Sequence, residues 1–154
     1  MAGYIMDLRK IVGHRPLLQV GASVIIEDGQ GRTLLQLRSD DRCWGYHGGS
    51  VELDERVEDA ARRELFEETG LKAGAMTLFG VFSGPETHHI YPNGDETSCV
   101  DIVFRRDYTG EMRCQPGEVE ELRFFAADQL PSPLSPPIIP ALRQWAEKKL
   151  SGAL

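Results

Sequence analysis

The chain has 154 residues, of which 41% are hydrophobic and 27% charged, as in soluble globular proteins long enough to bury a sizeable core. Its formal net charge of −7 argues against broad binding to duplex nucleic acid or an anionic membrane, because both require a basic protein face. Three dispersed cysteines, Cys43, Cys99 and Cys114, lack the spacing of a zinc site or a disulfide framework, and no apolar run approaches a membrane span. These features predict reduced thiols and a cytoplasmic location.

The first fifty residues predict a short helix followed by strands. Residues 4–12 have the pattern of an amphipathic helix that ends at Gly13. We expect it to pack against the edge of the domain, with a homodimer contact as the alternative. Residues 17–26 are β-rich, and residues 32–38 follow after the turn-forming sequence Asp-Gly-Gln-Gly, so the two runs predict a β-hairpin. A loop over residues 39–47 then leads to a pair of glycines, which permit close backbone approach.

The segment from Val57 to Thr69 predicts a helix with an unusual row of acids. Gly70, directly after it, suits the left-handed residue that ends many helices. At about 100° per residue, Glu64, Glu67 and Glu68 lie along roughly the same line as the apolar stripe with which the helix begins. Three carboxylates at this spacing cannot all stay ionised at close range without a counter-charge, which Mg²⁺ or Mn²⁺ would supply. Taken alone, the row is also compatible with a solvated acidic face.

The rest of the chain predicts further strands and one closing helix. Four runs have strand patterns, and an Asn-Gly hairpin turn separates the second from the third. The four runs are residues 76–82, 90–91, 97–108 and 121–126. A proline-rich connector begins at Pro131, and residues 141–150 predict a helix that closes the domain. The order of elements indicates an α+β or α/β protein with a mixed sheet.

The acidic helix and the loop before it resemble a known signature. The stretch from Gly49 to Leu71 is similar to the Nudix box, G-x5-E-x7-R-E-U-x-E-E-x-G-U, in which U is aliphatic. All nine defined positions are filled, namely by Gly49, Glu55, Arg63, Glu64, Leu65, Glu67, Glu68, Gly70 and Leu71. Nine matches within 23 residues make a coincidence implausible.

This resemblance implies a fold and a domain layout. Nudix proteins are α/β/α sandwiches around a mixed, curved β-sheet, with the box forming a loop–helix–loop, and the similarity extends over roughly residues 17–145. We therefore expect residues 1–154 to form a single domain. Residues 1–16 would be an N-terminal extension, and residues 131–154 would be the proline-rich connector and the C-terminal helix.

The resemblance also implies an activity and a set of site residues. Members of the family hydrolyse a nucleoside diphosphate linked to another moiety and use Mg²⁺ or Mn²⁺. We therefore expect a small nucleotide as substrate, either a nucleoside triphosphate or a nucleotide sugar such as ADP-ribose. By position, the implied metal ligands are the Gly48 carbonyl, Glu64, Glu67 and Glu68, and the implied supporting pair is Glu55 and Arg63.

A further acid is expected from the loop before the last strand, because many family members recruit one there. Glu118 is our first candidate, Glu121 the second and Glu120 the third, and at least two of the three are expected to be surface charge. The general base is then either Glu68 or Glu118, and the sequence does not decide between them.

The sequence departs from the family pattern at two positions, and four residues are candidates for substrate binding. His47 replaces a usual proline, and Asp54 replaces a usual glycine. We consider His47 as a phosphate contact, with an ordinary loop histidine as the alternative. Trp44, Phe82 and Tyr91 are candidates for stacking on a nucleobase, although core packing is the commoner role for each such residue.

Two other functions fit the same family resemblance. A catalytically silent Nudix domain would act as a nucleotide sensor, but such domains typically lose box glutamates and this chain retains them. An isomerase on the same fold would require an active-site cysteine, for which Cys43 is close in sequence without other support. The sequence therefore favours the hydrolase.

Overall fold

Within residues 3–154, the part of the chain that the computed structural model describes, there are three α-helices and eight β-strands, with four strands between each helix and the next. The helices are α1 (Tyr4–Val12), α2 (Val57–Thr69) and α3 (Ile139–Leu150). The strands are β1 (Leu17–Ile26), β2 (Thr33–Arg38), β3 (Trp44–Gly45), β4 (His47–Ser50), β5 (Thr77–Phe82), β6 (His88–Ile90), β7 (Glu96–Arg106) and β8 (Val119–Phe125). The predicted bounds of α1, β1 and α2 are confirmed, and Gly13 and Gly70 end their helices with positive φ.

The strands form two sheets. In the first, the order is β4-β1-β7-β5, and β6 also pairs with β7. Strands β1 and β7 run parallel from the Leu17–Thr97 pair to the Ile26–Arg106 pair, while the other pairings in this sheet are antiparallel. The second sheet is antiparallel, in the order β3-β2-β8. The predicted mixed sheet is therefore found in the first of the two.

Helices α2 and α3 cover opposite faces of β1, because alternate side chains of a strand point to opposite faces. Ala22, Val24 and Ile26 pack with α2, while Ile25 packs with α3. The buried cluster around α2 also contains Leu34, Ala60, Ala61, Leu65, Leu71 and Phe104. The cluster around α3 also contains Leu35, Trp44, Tyr46, Val103, Ala141, Leu142, Trp145 and Ala146. This is the layered α/β/α arrangement that the resemblance implied.

The predicted hairpin of β1 and β2 is wrong. The two strands belong to different sheets, and a single antiparallel bridge between Glu27 and Thr33 is the pairing where the chain turns. Both edges of β1 are already occupied, by β4 on one side and β7 on the other, so β2 has no edge to join. The Asp28 carboxylate holds the turn by accepting hydrogen bonds from the backbone N–H groups of Gln30 and Arg32, both at 2.9 Å.

Two segments that were predicted to be irregular form backbone hydrogen bonds with neighbouring strands. The predicted loop over residues 39–47 contains β3 and leads directly into β4. The proline-rich connector pairs with β3, since Trp44 N donates to Pro133 O at 2.9 Å and Ser135 N donates to Trp44 O at 2.8 Å. Helix α3 begins at Ile139, two residues before its predicted start, with Pro140 in its first turn, where proline is tolerated.

Candidate active site

Two glycines of β4 allow it to lie against α2 and β1. A Cβ atom on Gly49 would lie 2.5 Å from the carboxyl carbon of Glu64, so any larger residue here would displace this carboxylate from its position. A Cβ atom on Gly48 would collide with Ser23 of β1. The close packing therefore brings the Glu64 carboxylate directly onto the backbone of β4.

Arg63 ties the loop before α2 to the glutamates of the helix. Its guanidinium donates to both carboxylate oxygens of Glu55 at 2.9 and 3.0 Å, and to Glu64 Oε1 at 2.8 Å. It also donates to the Ser50 carbonyl at 3.1 Å and lies 3.7 Å from Glu67. Arg63 keeps the pKa of Glu55 below its ordinary value, so Glu55 stays ionised. Such charge-assisted bonds hold the carboxylates in fixed positions.

Glu68 is buried at the junction of the two sheets. Its Oε1 atom accepts the Gly48 backbone N–H at 2.9 Å, and its Oε2 atom accepts the amide N–H of Gln36, on β2, at 2.8 Å. Burial raises the pKa of Glu68 to about 8, and the charge of Glu64 adds to the effect. Gln36 was not among the predicted site residues; a lone amide within the apolar run Thr-Leu-Leu-Gln-Leu was its signal.

Of the three candidate acids before the last strand, Glu118 lies at the site. Glu120 forms an ion pair with Arg42, and Glu121 forms one with Arg123, so both carboxylates are committed at the surface. Glu118 instead lines two cavities, one of which is also lined by Glu64.

Three neighbouring cavities surround the acidic side chains. The first, of about 450 Å³, is lined by Glu64, Glu118, Tyr91 and residues of α1. The second, of about 440 Å³, shares Glu118 with the first and adds Glu68. The third, of about 110 Å³, lies along Gly48 and Gly49 and is lined by residues of β1, β6 and β7. The second cavity thus contains both candidate bases, Glu68 and Glu118.

The third cavity has a buried carboxylate at its wall. Asp101 of β7 is 7% exposed and accepts hydrogen bonds from Ser23 Oγ and Tyr46 OH, both at 2.8 Å. Burial raises the pKa of this carboxyl. A Cβ atom on Gly21 would lie 3.3 Å from Asp101 Oδ1 and 3.4 Å from Cys99 Sγ, so glycine keeps this wall open. Sequence reasoning missed Asp101, whose signal was a single acid within the apolar run Cys-Val-Asp-Ile-Val-Phe.

Of the four candidate substrate contacts, one aromatic side chain lines the cavities and two others pack in the core. Tyr91 lines the first and third cavities, next to His89, whose ring it meets edge to face at 4.6 Å. Trp44 is buried against Phe125, and Phe82 stacks on Phe79, so both pack in the α3 core.

His47 lies in the core rather than in a loop. Its side chain is fully buried, and its Nε2 atom lies 3.2 Å from the Leu34 carbonyl. Burial lowers its pKa to about 4, so the ring is neutral at pH 7. The phosphate contact considered for His47 is therefore not compatible with this position.

No group of three or more His, Cys, Asp or Glu side chains within residues 3–154 is arranged to hold a metal ion as the side chains stand. The donor set nevertheless fits a hard divalent cation. Burial raises the pKa of both Glu64 and Glu68, and a neighbouring carboxylate raises each further, Glu67 in one case and Glu64 in the other. A bound cation would relieve this repulsion.

A family model described as NUDIX domain matches residues 17–147. The chain belongs to the Nudix family. Among solved structures, a MutT NUDIX hydrolase from Burkholderia pseudomallei is 36% identical, with a TM-score of 0.70, covering 83% of this chain and 98% of that one. A NUDIX hydrolase from Nitrosomonas europaea, at 23% identity and a TM-score of 0.71, shares the fold; it covers 87% of this chain and 73% of that one.

Curated relatives of this Nudix protein have several different names. An ADP-ribose pyrophosphatase of Methanocaldococcus jannaschii is 37% identical over 58% of this chain and 49% of its own length. An NAD-capped RNA hydrolase, NudC, of Actinobacillus succinogenes is 34% identical over 81% of this chain and 47% of its own. A MutT-like protein of Streptomyces ambofaciens is 37% identical over 75% of this chain and 68% of its own. The chain spans about half the length of the first two.

Within residues 3–154, no helix is both long enough and apolar enough to cross a membrane. Cys43, Cys99 and Cys114 are free thiols, as predicted.

Proposed function

We propose that this protein is a metal-dependent pyrophosphohydrolase of small nucleotides. Its substrate would be a nucleoside diphosphate derivative, either a nucleoside triphosphate or a nucleotide sugar such as ADP-ribose. The observation that supports this most directly is the pair of carboxyls formed by the half-buried Glu64 and the buried Glu68, which lie against glycines of β4 and line two adjoining cavities that share Glu118. Among the relatives, the ADP-ribose pyrophosphatase of Methanocaldococcus jannaschii has a name of this kind.

The cofactor proposed is Mg²⁺ or Mn²⁺, because the available donors are oxygens. The residues that would hold it are the Gly48 carbonyl and the carboxylates of Glu64, Glu67 and Glu68. When bound, a divalent cation neutralises diphosphate charge and lowers the pKa of a coordinated water.

The residues of this chain would position the ligands and accept a proton. Arg63 holds Glu64 through a 2.8 Å bond, while the Gly48 N–H and the Gln36 amide hold Glu68. The proton of the attacking water would go to Glu68 or to Glu118, both of which line the second cavity. Tyr91, at the border of two cavities, is the aromatic side chain placed to contact the nucleoside half.

The test is a pair of isosteric substitutions on α2 with a control on the same helix. Glu67→Gln and Glu68→Gln should each reduce nucleotide hydrolysis in Mg²⁺ by at least about 100-fold, a loss typical of a lost metal ligand or base. Glu58→Gln, in the exposed first turn, should keep wild-type turnover. Binding of Mn²⁺, followed by electron paramagnetic resonance, should weaken in the first two variants alone.

Two results would count against the proposal. Wild-type turnover in Glu67→Gln or Glu68→Gln would reject the ligand assignment. Tight nucleotide binding by the wild type, without hydrolysis of triphosphates, ADP-ribose, sugar nucleotides or dinucleoside polyphosphates in Mg²⁺, would instead favour the nucleotide sensor. The base is identified by Glu118→Gln, since a loss equal to that of Glu68→Gln would assign that role to Glu118.

A further inference from the structure

Helix α1 is fastened across the rim of the first cavity at two points. At its start, Tyr4 N donates to Glu52 Oε2 at 2.8 Å, which joins the helix to the loop that precedes α2. Farther along, the buried Arg9 donates to the Glu96 carbonyl at 2.6 Å and lies 3.8 Å from Asp95. The helix therefore connects the loop before α2 with the hairpin turn between β6 and β7.

Helix α1 also forms one wall of that cavity. Ile5, Met6 and Arg9 line it together with Glu64 and Glu118. Met6 in addition lines the second cavity, which contains Glu68. The family model begins at residue 17, so this wall lies outside the segment that the family model matches.

The charges around the first cavity decide what it could accept. Besides Glu64, its lining contains four acids, and among the described residues that line it Arg9 is the single cationic side chain. The four acids are Asp40, Glu52, Asp95 and Glu118. The Arg9 guanidinium is already committed, since it also donates to the carbonyls of Gly13 and Arg15. An additional phosphate in this cavity would meet carboxylates without an available counter-charge, whereas hydroxyl groups could donate to them.

We propose that α1 is the specificity wall of the enzyme and that the first cavity holds the uncharged sugar of a nucleoside diphosphate sugar. The inference rests on the proposed function, because it assumes that the diphosphate lies at the α2 glutamates. The carboxylates of Glu52 and Asp95 accept hydrogen bonds from sugar hydroxyls, and Met6 contacts the apolar face of the sugar ring.

Whether the sugar occupies the first cavity is tested by filling that cavity with one substitution in α1 and by comparing it with a matched substitution that faces away from the cavity. Met6→Trp fills the cavity, while Ile11→Trp adds the same group to an 83% exposed position of the same helix. The nucleobase is first chosen as the one whose nucleoside monophosphate binds the wild type most tightly. Met6→Trp should then weaken binding of the corresponding nucleoside diphosphate glucose at least 10-fold, as measured by calorimetry in Ca²⁺. Binding of the nucleoside monophosphate, which lacks the sugar, should stay within 2-fold, and Ile11→Trp should change neither. Equal loss for both ligands, or no loss with an unchanged melting temperature, would overturn the proposal.

Whether the first cavity prefers an uncharged sugar to a phosphate is tested on the wild-type protein. The kcat/KM in Mg²⁺ should be at least 10-fold higher for the nucleoside diphosphate glucose than for the triphosphate of the same base. A preference for the triphosphate would reject the sugar assignment. Absence of hydrolysis for every substrate would reject the proposed function instead, and the calorimetric comparison of Met6→Trp with Ile11→Trp would still decide whether α1 contacts the ligand.

Discussion

Glu68 illustrates how one residue can link catalysis to stability. Its pKa is about 8 in the folded chain, compared with an ordinary value of 4.5, so between these values the folded protein holds a proton that the unfolded chain has released. Stability of the metal-free protein is therefore greatest below pH 4.5 with respect to this group, and it falls as pH rises toward 8. We expect a loss on the order of 2 to 4 kcal/mol across this range.

This pH dependence can be measured by urea unfolding in a chelator between pH 5 and 8.5. Glu68→Gln, which mimics the neutral carboxyl, should flatten the profile and make the variant more stable than wild type at pH 8.5. Glu58→Gln, on the exposed side of the same helix, should retain the wild-type slope. An identical slope in wild type and Glu68→Gln would contradict the neutral, buried state of this carboxyl.

The backbone conformation of Asp54 leads to a second prediction for a single residue, which concerns stability. The family usually has glycine at this position, and here the aspartate has φ of 63°, in the left-handed region that costs energy for a residue with a side chain. Asp54→Gly should raise the free energy of unfolding by up to about 1 kcal/mol, since relief of strain exceeds the entropy of the added glycine. Leu53→Gly, beside it and without positive φ, should lower stability. A loss of stability in Asp54→Gly would mean that the aspartate side chain stabilises this turn.

Individual site residues could be predicted from the sequence where they recur at the spacing of a helix or of a known motif. The row of Glu64, Glu67 and Glu68 followed from helical periodicity, and Gly49 followed from the box. Gln36 and Asp101 could not be placed in the same way, because their roles depend on strands that meet only in the fold. A polar residue within an apolar strand indicates a buried partner, but it does not identify that partner.

At the scale of elements, Arg9 holds helix α1 in place. It is 8% exposed and donates four hydrogen bonds, two of them to Glu96 and Thr97 at the start of β7. Arg9→Gln should release α1 from the hairpin, because a buried hydrogen-bonded charge is costly to lose. Hydrogen exchange of the α1 amides should accelerate at least 10-fold, and the amides of α2 should keep their wild-type rates.

The neighbouring residue provides the control for this element. Lys10 is exposed and, among residues 3–154, its one ion-pair partner is Asp7 on the same helix, so Lys10→Gln should leave exchange in α1 nearly unchanged. Equal exchange rates in Arg9→Gln and wild type would show that the apolar contacts of α1 are sufficient to hold it in place.

Elements were predicted well where local sequence determines them and poorly where pairing does. The helices α1 and α2 were predicted with their observed bounds, because amphipathic spacing and terminal glycines are local signals. The pairing of β1 with β2 was predicted wrongly, since the competing partners β4 and β7 come later in the chain. The two-residue strand β3 has no periodicity to detect, and it forms because both β2 and the connector before α3 pair with it.

At the scale of the whole molecule, the candidate site is a product of assembly. Glu68 comes from α2, Gln36 from the second sheet and the Gly48 N–H from the first, so three layers must pack before this carboxyl has its two donors. Glu118 comes from the segment leading into β8, and Met6 from a helix outside the family segment. Loss of packing between the sheets would therefore disperse the site.

Because the site assembles only in the folded chain, metal binding should stabilise the whole protein, and the stabilisation should depend on pH. A ligand that binds only the folded state raises the free energy of unfolding by RT ln(1 + [L]/Kd), and a carboxyl must lose its proton to become a metal ligand. Glu68, with a pKa of about 8, is protonated at pH 6.5 and largely ionised at pH 8.5. The increase in melting temperature on adding 5 mM Mg²⁺, about the millimolar range in which Mg²⁺ sites are probed, should thus be larger at pH 8.5. In Glu68→Gln the increase should be small at both pH values, and in Glu58→Gln it should match wild type. An equal increase at pH 6.5 and 8.5 in wild type would show that Mg²⁺ binds without the Glu68 carboxylate, and the metal would then have to be assigned to Glu64 and Glu67.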